Sequence, residues 1–118
     1  MQLKLTTRNV DGVTVVDCNG RIVFGDESAL LRDTVKGLIG NNTRILLNLE
    51  GINYIDSGGL GTLVALYTTA HNAGGAVKLV NLTQRVGDLL QVTKLVTVFE
   101  VFDSEQKALD SFRKGAAA

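Results

Sequence analysis

The run Arg44-Ile45-Leu46-Leu47-Asn48-Leu49 is nearly continuous in apolar residues over the length of one strand. A strand with one face in water alternates apolar and polar residues; a strand with so little alternation needs cover on much of both faces. It therefore belongs in the middle of a sheet with helices packed against it. The segments around it agree. Before it, Asp26-Glu27-Ser28 starts a helix whose buried stripe is Leu31, Val35, Leu38 and Ile39, with Leu30 beside it. Acidic residues suit that N-terminus, Lys36 suits the other end, and Gly40-Asn41-Asn42 stops the helix. After it, a second helix with Leu60, Leu63, Val64 and Tyr67 at helical spacing reaches Ala73, before Gly74-Gly75.

The rest of the chain extends the alternation. Leu3 to Thr6 and Val13 to Cys18 read as two strands joined across Asp11-Gly12, a strong hairpin signal, with Asn19-Gly20 breaking the second. Arg21-Ile22-Val23-Phe24-Gly25 is a short extended piece or an apolar loop. Ala76 to Leu82 is a further strand. Thr83 caps a helix carrying Val86, Leu89 and Leu90 and ending near Val92. Val98 to Phe102 is a last short strand, and Asp103 or Ser104 caps a final helix that buries Leu109 and Phe112. The chain holds no proline, so Gly, Asn and Asp make its turns. This order predicts an α/β fold: a mixed sheet of four to five strands with an N-terminal hairpin and parallel crossovers. About four helices follow, mostly on one face, because same-handed crossovers without reversal stack helices on one side. We read residues 1–115 as one domain and 116–118 as a frayed tail.

Composition narrows the function. Lys plus Arg and Asp plus Glu are 12 each in 118 residues, so no overall charge points to nucleic acid or an anionic membrane. No apolar run approaches the ~20 residues that cross a bilayer, and Met1-Gln2-Leu3-Lys4-Leu5 is strand-like, without the layout of a signal peptide. A cytoplasmic protein is expected. Cys18 and His71 are the sole residues of their types and have no ligand-like spacing. Cys18 reads as a small core residue and His71 as part of a polar helix face, and we expect neither a metal nor a cofactor.

The unusual stretch is Asn53-Tyr54-Ile55-Asp56-Ser57-Gly58-Gly59-Leu60-Gly61. Asp56 and Ser57 are helix-capping types, and a cap alone accounts for them. Three glycines in the first turn are not there for helix stability, since each costs about 1 kcal/mol relative to alanine. They leave bare backbone beside a serine at the positive end of a helix, which reads as Ser57 presented to another molecule. Catalysis lacks its parts. A serine nucleophile needs a base, and His71 lies ~21 Å further along the same predicted helix. Ile55 stands where a hydrolase elbow has glycine. No Lys-Ser/Thr completes a phosphate loop. A small serine hydrolase using Ser57 is the least favoured alternative.

The string Asn53 to Gly61 resembles the signature of the STAS domain, the fold of the anti-sigma factor antagonists, and the resemblance extends over the order of elements along the whole chain. It implies a regulatory binding module and not an enzyme. Ser57 matches the serine phosphorylated by an anti-sigma factor kinase. The unmodified protein binds that kinase and frees a sigma factor for transcription; phosphorylation blocks binding, and a phosphatase acting on phosphoserine reverses it. Asp56 matches the acid beside the phosphosite, and Gly58, Gly59, Leu60 and Gly61 the residues on which the partner closes. Many members carry an Asp three residues after the glycine that follows the second strand. Here Gly20-Arg21-Ile22 is followed by Val23, and the nearest acid is Asp26. Ile22, Val23, Phe24 and Asp26 complete the expected partner surface, on a monomer or weak dimer. The second implied role is a STAS scaffold subunit of a signalling or lipid-transport assembly, without phosphorylation.

Overall fold

The structure, a computed structural model, describes residues 2–117. The chain runs β1 (Leu3–Val10), β2 (Val13–Ile22), α1 (Asp26–Ile39), β3 (Arg44–Ile55), α2 (Ser57–Asn72), β4 (Ala76–Val80) and α3 (Gln84–Val92). A 3-10 turn (Leu95–Thr97), β5 (Val101–Phe102) and α4 (Glu105–Ala117) complete it. The five strands lie in the sheet in sequence order, with β1–β2 antiparallel and every later pair parallel.

The central strand is β3. Its Ile45, Leu47 and Leu49 face α1, α2 and α3, while Leu46 faces the other side, where Val13, Val15 and Val80 pack against Ala108, Leu109 and Phe112 of α4. Three helices therefore cover one face and one covers the other, and this is why the Arg44–Leu49 run hardly alternates. Each fully buried Leu, Ile or Val here contributes about 1.5–3 kcal/mol relative to exposure. Where α4 stops covering its face, the strand positions turn polar. Asp17 and Asn48 follow Val15 and Leu46 on the same phase, and Asn48 Nδ2 donates to Asp17 Oδ1 at 2.8 Å. Arg8 ties this patch to α4, through Asp17 at 2.7 and 3.0 Å and Glu105 at 2.6 and 3.3 Å.

Several boundaries differ from the sequence reading. Asn19-Gly20 does not end β2. Gly20 adopts φ +116° against the Gln2 carbonyl, the β2–β3 register slips there, and pairing resumes to Ile22 opposite Ile55. For the same reason β3 continues past Leu49 to Ile55, burying Ile52 and Ile55. Asn81 takes a left-handed φ of 58° and closes β4 before Leu82. The last strand shrinks to two residues, because Lys94 (φ 62°) starts a 3-10 turn and Phe99 turns into the core against the Tyr67 edge, ring centroids 5.5 Å apart. Ser104 is the acceptor at the start of α4, taking the Lys107 N–H at 3.1 Å. Helix α4 runs through Ala117, so the expected boundary at residue 115 falls inside it, and Ala118 lies outside the described residues.

Candidate functional site

Because β2 and β3 are parallel neighbours with Ile22 opposite Ile55, the segments leaving them emerge side by side at one edge of the sheet. The chain after Ile22 enters α1 through Val23, Phe24 and Gly25. The chain after Ile55 enters α2 through Asp56. In open α/β sheets this edge, at the C-terminal ends of the strands, is where other molecules dock.

Asp56 joins the two connections. It is the N-cap of α2, with extended backbone, and its Oδ1 accepts the Gly59 N–H at 2.8 Å. Both of its carboxylate oxygens also accept the Phe24 N–H at 3.1 Å, and its own N–H donates to the Ile22 carbonyl at 3.3 Å. The Gly59 N–H, helped by those of Phe24 and Gly58, holds the carboxyl below the usual Asp range, against the smaller opposing effect of burial. Asp56 is therefore a charged staple within the fold, turned toward its own backbone. Ser57 is the first residue of α2 and is exposed.

The glycines divide into two kinds, which corrects the reading of all three as bare surface. A Cβ at Gly59 would run into the Ile22 carbonyl oxygen, and one at Gly58 would lie 2.6 Å from the Phe24 Cβ. These two glycines let the β2–α1 connection close on the start of α2. Gly61 alone has open space around it. Thr62, one turn on, spends its hydroxyl on the Gly58 carbonyl at 3.2 Å.

The expected contact residues also divide. Phe24 is 81% exposed, although it is large and apolar. Gly61 and Asp26, the first residue of α1, are exposed, and Val23 and Gly58 are partly so. Ile22 and Leu60, by contrast, are core: Ile22 ends β2 with no exposure and Leu60 packs inward from α2. Strand alternation turns the Ile22 side chain under the helices, and helical spacing turns that of Leu60 onto the sheet. Between α1 and α2 a groove of about 500 Å³ is lined by Phe24, Gly25, Ser28, Arg32, Gly61 and Ala65, among others. Arg32 at this groove is not legible in the sequence, because an arginine on the outer face of a predicted helix carries no distinguishing mark. A larger depression of about 720 Å³, lined by Glu50, Asn81 and Lys107 among others, shares no residue with the Ser57 turn.

The other candidates have structural roles. His71 stacks on Tyr67, ring centroids 6.3 Å apart, and shares the unbroken helix α2 with Ser57. It cannot reach the hydroxyl. Cys18 is buried, which pushes its thiol up to about 12, out of the reactive range. Among the described residues no group of His, Cys, Asp and Glu forms a metal-binding cluster, and no helix is long and apolar enough to cross a membrane.

A single mixed sheet in sequence order, three helices on one face, and a serine exposed at the start of the second helix define a class of domain. The family profile of the STAS domain matches residues 4–108, and the chain belongs to that family. It is 25% identical over 111 residues to an anti-sigma F factor antagonist of Paenibacillus polymyxa, covering 92% of this chain and 94% of that one. It is 29% identical over 72 residues to an anti-sigma-B factor antagonist of Bacillus subtilis, covering 61% and 66%. Its fold matches the anti-sigma factor antagonist SpoIIAA in its unphosphorylated form, with a TM-score of 0.79, 20% identity and coverage of 94% and 97%. The phosphorylated form of SpoIIAA matches with a TM-score of 0.71, 20% identity and coverage of 92% and 98%.

Proposed function

We propose that this protein is an anti-sigma factor antagonist that switches partners through Ser57. In this reading the unmodified chain binds an anti-sigma factor kinase and frees a sigma factor; phosphorylation of Ser57 blocks binding, and a phosphatase restores it. The observation that carries the reading is the contrast at the start of α2: Asp56 is bound into the fold, while Ser57 beside it is exposed. Two relatives bear the name of antagonist, and SpoIIAA is known in both unphosphorylated and phosphorylated forms. Phe24, Gly61 and the groove between α1 and α2 supply an apolar contact, a bare stretch of backbone and a recess beside the serine. Asp26, at the start of α1, stands nearest to the position of the family's usual loop acid.

The physics of the switch follows from the turn. A phosphoserine adds about −1.5 to −2 charges. At a helix start this charge is favoured by the dipole, so unfolding is not the means of release. Asp56 already holds the Gly59 N–H and is ionised at neutral pH, so the phosphate joins a carboxylate and stays outside it, toward the partner. A partner surface shaped for a neutral hydroxyl would then have to bury a dianion, which costs several kcal/mol.

Intact mass after incubation with ATP and the host's anti-sigma factor kinases tests the site. Addition of one phosphate, abolished in Ser57→Ala, is expected. Modification that persists in Ser57→Ala refutes the assignment, and a chain left unmodified by every such kinase favours the scaffold role.

A further inference from the structure

Tyr54 lies three residues before Ser57 and gathers two arginines from other elements. The Arg21 guanidinium of β2 is 5.4 Å from the Tyr54 ring centroid, and that of Arg85, near the N-terminus of α3, is 4.4 Å from it. These distances put the two cations within about 10 Å of each other, roughly one Debye length, so their fields add. Among the described residues neither forms an ion pair or a side-chain hydrogen bond. Asp88, on α3, bonds to Gln84 instead. Glu27 lies within the field of Arg21 but accepts its hydrogen bond from the Gln2 N–H.

The cation–π contacts contribute to the fold, but only about 0.5–1 kcal/mol each at exposed sites. Arg85 is the second residue of α3, at the positive end of the helix dipole, where a cation is unfavourable. A guanidinium held near a ring by cation–π attraction still has N–H donors to offer to a further acceptor. It also fixes the side chain before binding, which reduces the entropy lost on docking. The result is a pair of exposed guanidiniums with no side-chain acceptor bonded to them among the described residues, in a chain whose net charge is zero.

We propose that Arg21, Tyr54 and Arg85 form an anchor for a carboxylate-bearing segment of the protein partner that docks at the Ser57 edge. Paired Asp or Glu side chains fit the two forks, each of which takes a carboxylate through two parallel hydrogen bonds. The inference rests on the proposed function for the identity of the partner, and it adds a second contact at the same edge of the sheet as Phe24. The anchor sets the speed and register of docking, because steering by opposite charge acts mainly on association.

The test uses the full chain and hexaglutamate peptide, with hexalysine and inorganic tripolyphosphate as comparison probes, read by NMR of the arginine Nε–Hε and Tyr54 resonances. Hexaglutamate is expected to shift Arg21, Arg85 and Tyr54 at low salt, with the shifts lost at high salt and in the double variant Arg21→Gln/Arg85→Gln. Hexalysine should shift none of them. Silence toward hexaglutamate overturns the proposal, as does a response to tripolyphosphate alone, which would mark a phosphate site. The parent titration needs no variant, so a misfolded mutant does not obscure it. A chain that is phosphorylated at Ser57 yet silent toward hexaglutamate loses only the anchor; one that responds but is never phosphorylated loses only the switch.

Discussion

Alanine at Gly59 and alanine at Gly61 should move stability in opposite directions, though both positions lie in the first turns of α2. At Gly61 a methyl group meets open space. Only the intrinsic helix preference changes there, and Gly61→Ala should stabilise the protein by about 0.5–1 kcal/mol. At Gly59 the same methyl group would strike the Ile22 carbonyl oxygen and come within 2.9 Å of Ile22 Cγ2, a side chain with no exposure and no room to yield. Overpacking of this kind costs about 1–3 kcal/mol, and sometimes more. Displacing α2 also disturbs the Asp56 cap, worth about 1 kcal/mol, which offsets the helix gain. The expected net loss for Gly59→Ala is about 1–3 kcal/mol, or roughly 4 °C in Tm per kcal/mol for a domain of this size. Urea titration with circular dichroism reads both variants on one scale, and an unchanged slope would show that the unfolded state is unaffected. If Gly59→Ala is as stable as the parent, the reasoning fails, because the glycine would then not be required by its own fold.

Asp56→Ala removes the N-cap and the bond to Phe24 and should cost about 1–3 kcal/mol, whereas Asp56→Asn retains a capping oxygen and should lose less. Because the folded state holds the Asp56 carboxyl below its unfolded value of about 3.9, its contribution is present above that pH and is lost as pH falls through the folded pKa; acid titration of the parent against Asp56→Asn checks the sign. Asp17, held low chiefly by Arg8, behaves in the same way, so the difference between Asp17→Asn and the parent should likewise shrink in acid below about pH 4. Phe24→Ala keeps the Cβ that packs on Gly58 and removes an exposed ring; its melting should match the parent's within ~0.5 kcal/mol while partner affinity falls, and a variant that unfolds would make Phe24 core.

Much of this architecture can be read from single segments. The nearly unbroken apolar phase of Arg44–Leu49 demands cover on both faces, and the Leu31, Val35 and Ile39 stripe supplies part of it. The β2–β3 extension is not legible in this way. Asn19-Gly20 has the composition of a turn, and only the tertiary approach of Gln2 and Gly51 turns it into an irregularity within a strand. The brevity of β5 likewise depends on Phe99 finding the Tyr67 edge.

At the site, the sequence marks the capping residues and an excess of glycine, but not which glycines face inward. Gly58 and Gly59 are set by their distance to Phe24 and Ile22, more than thirty positions away, and no local pattern encodes that distance. By sequence Ile22 reads as surface, because an apolar run beside a turn looks alike whether it ends a strand or starts a loop; its pairing with Ile55 decides the matter. The Arg21–Tyr54–Arg85 cluster joins β2, β3 and α3, and no spacing reveals it.

The proposed Ser57 switch acts in the partner's pocket and leaves this fold unchanged. Amide NMR spectra of the unmodified and Ser57-phosphorylated chain, each recorded with and without the anti-sigma factor kinase, distinguish a switch in the partner's pocket from a change of fold. Phosphorylation should shift resonances only around Val23–Gly25 and Asp56–Thr62, and the kinase should perturb the unmodified chain alone. Shifts spread through β1, β4 and α4, or equal binding of both forms, would contradict it.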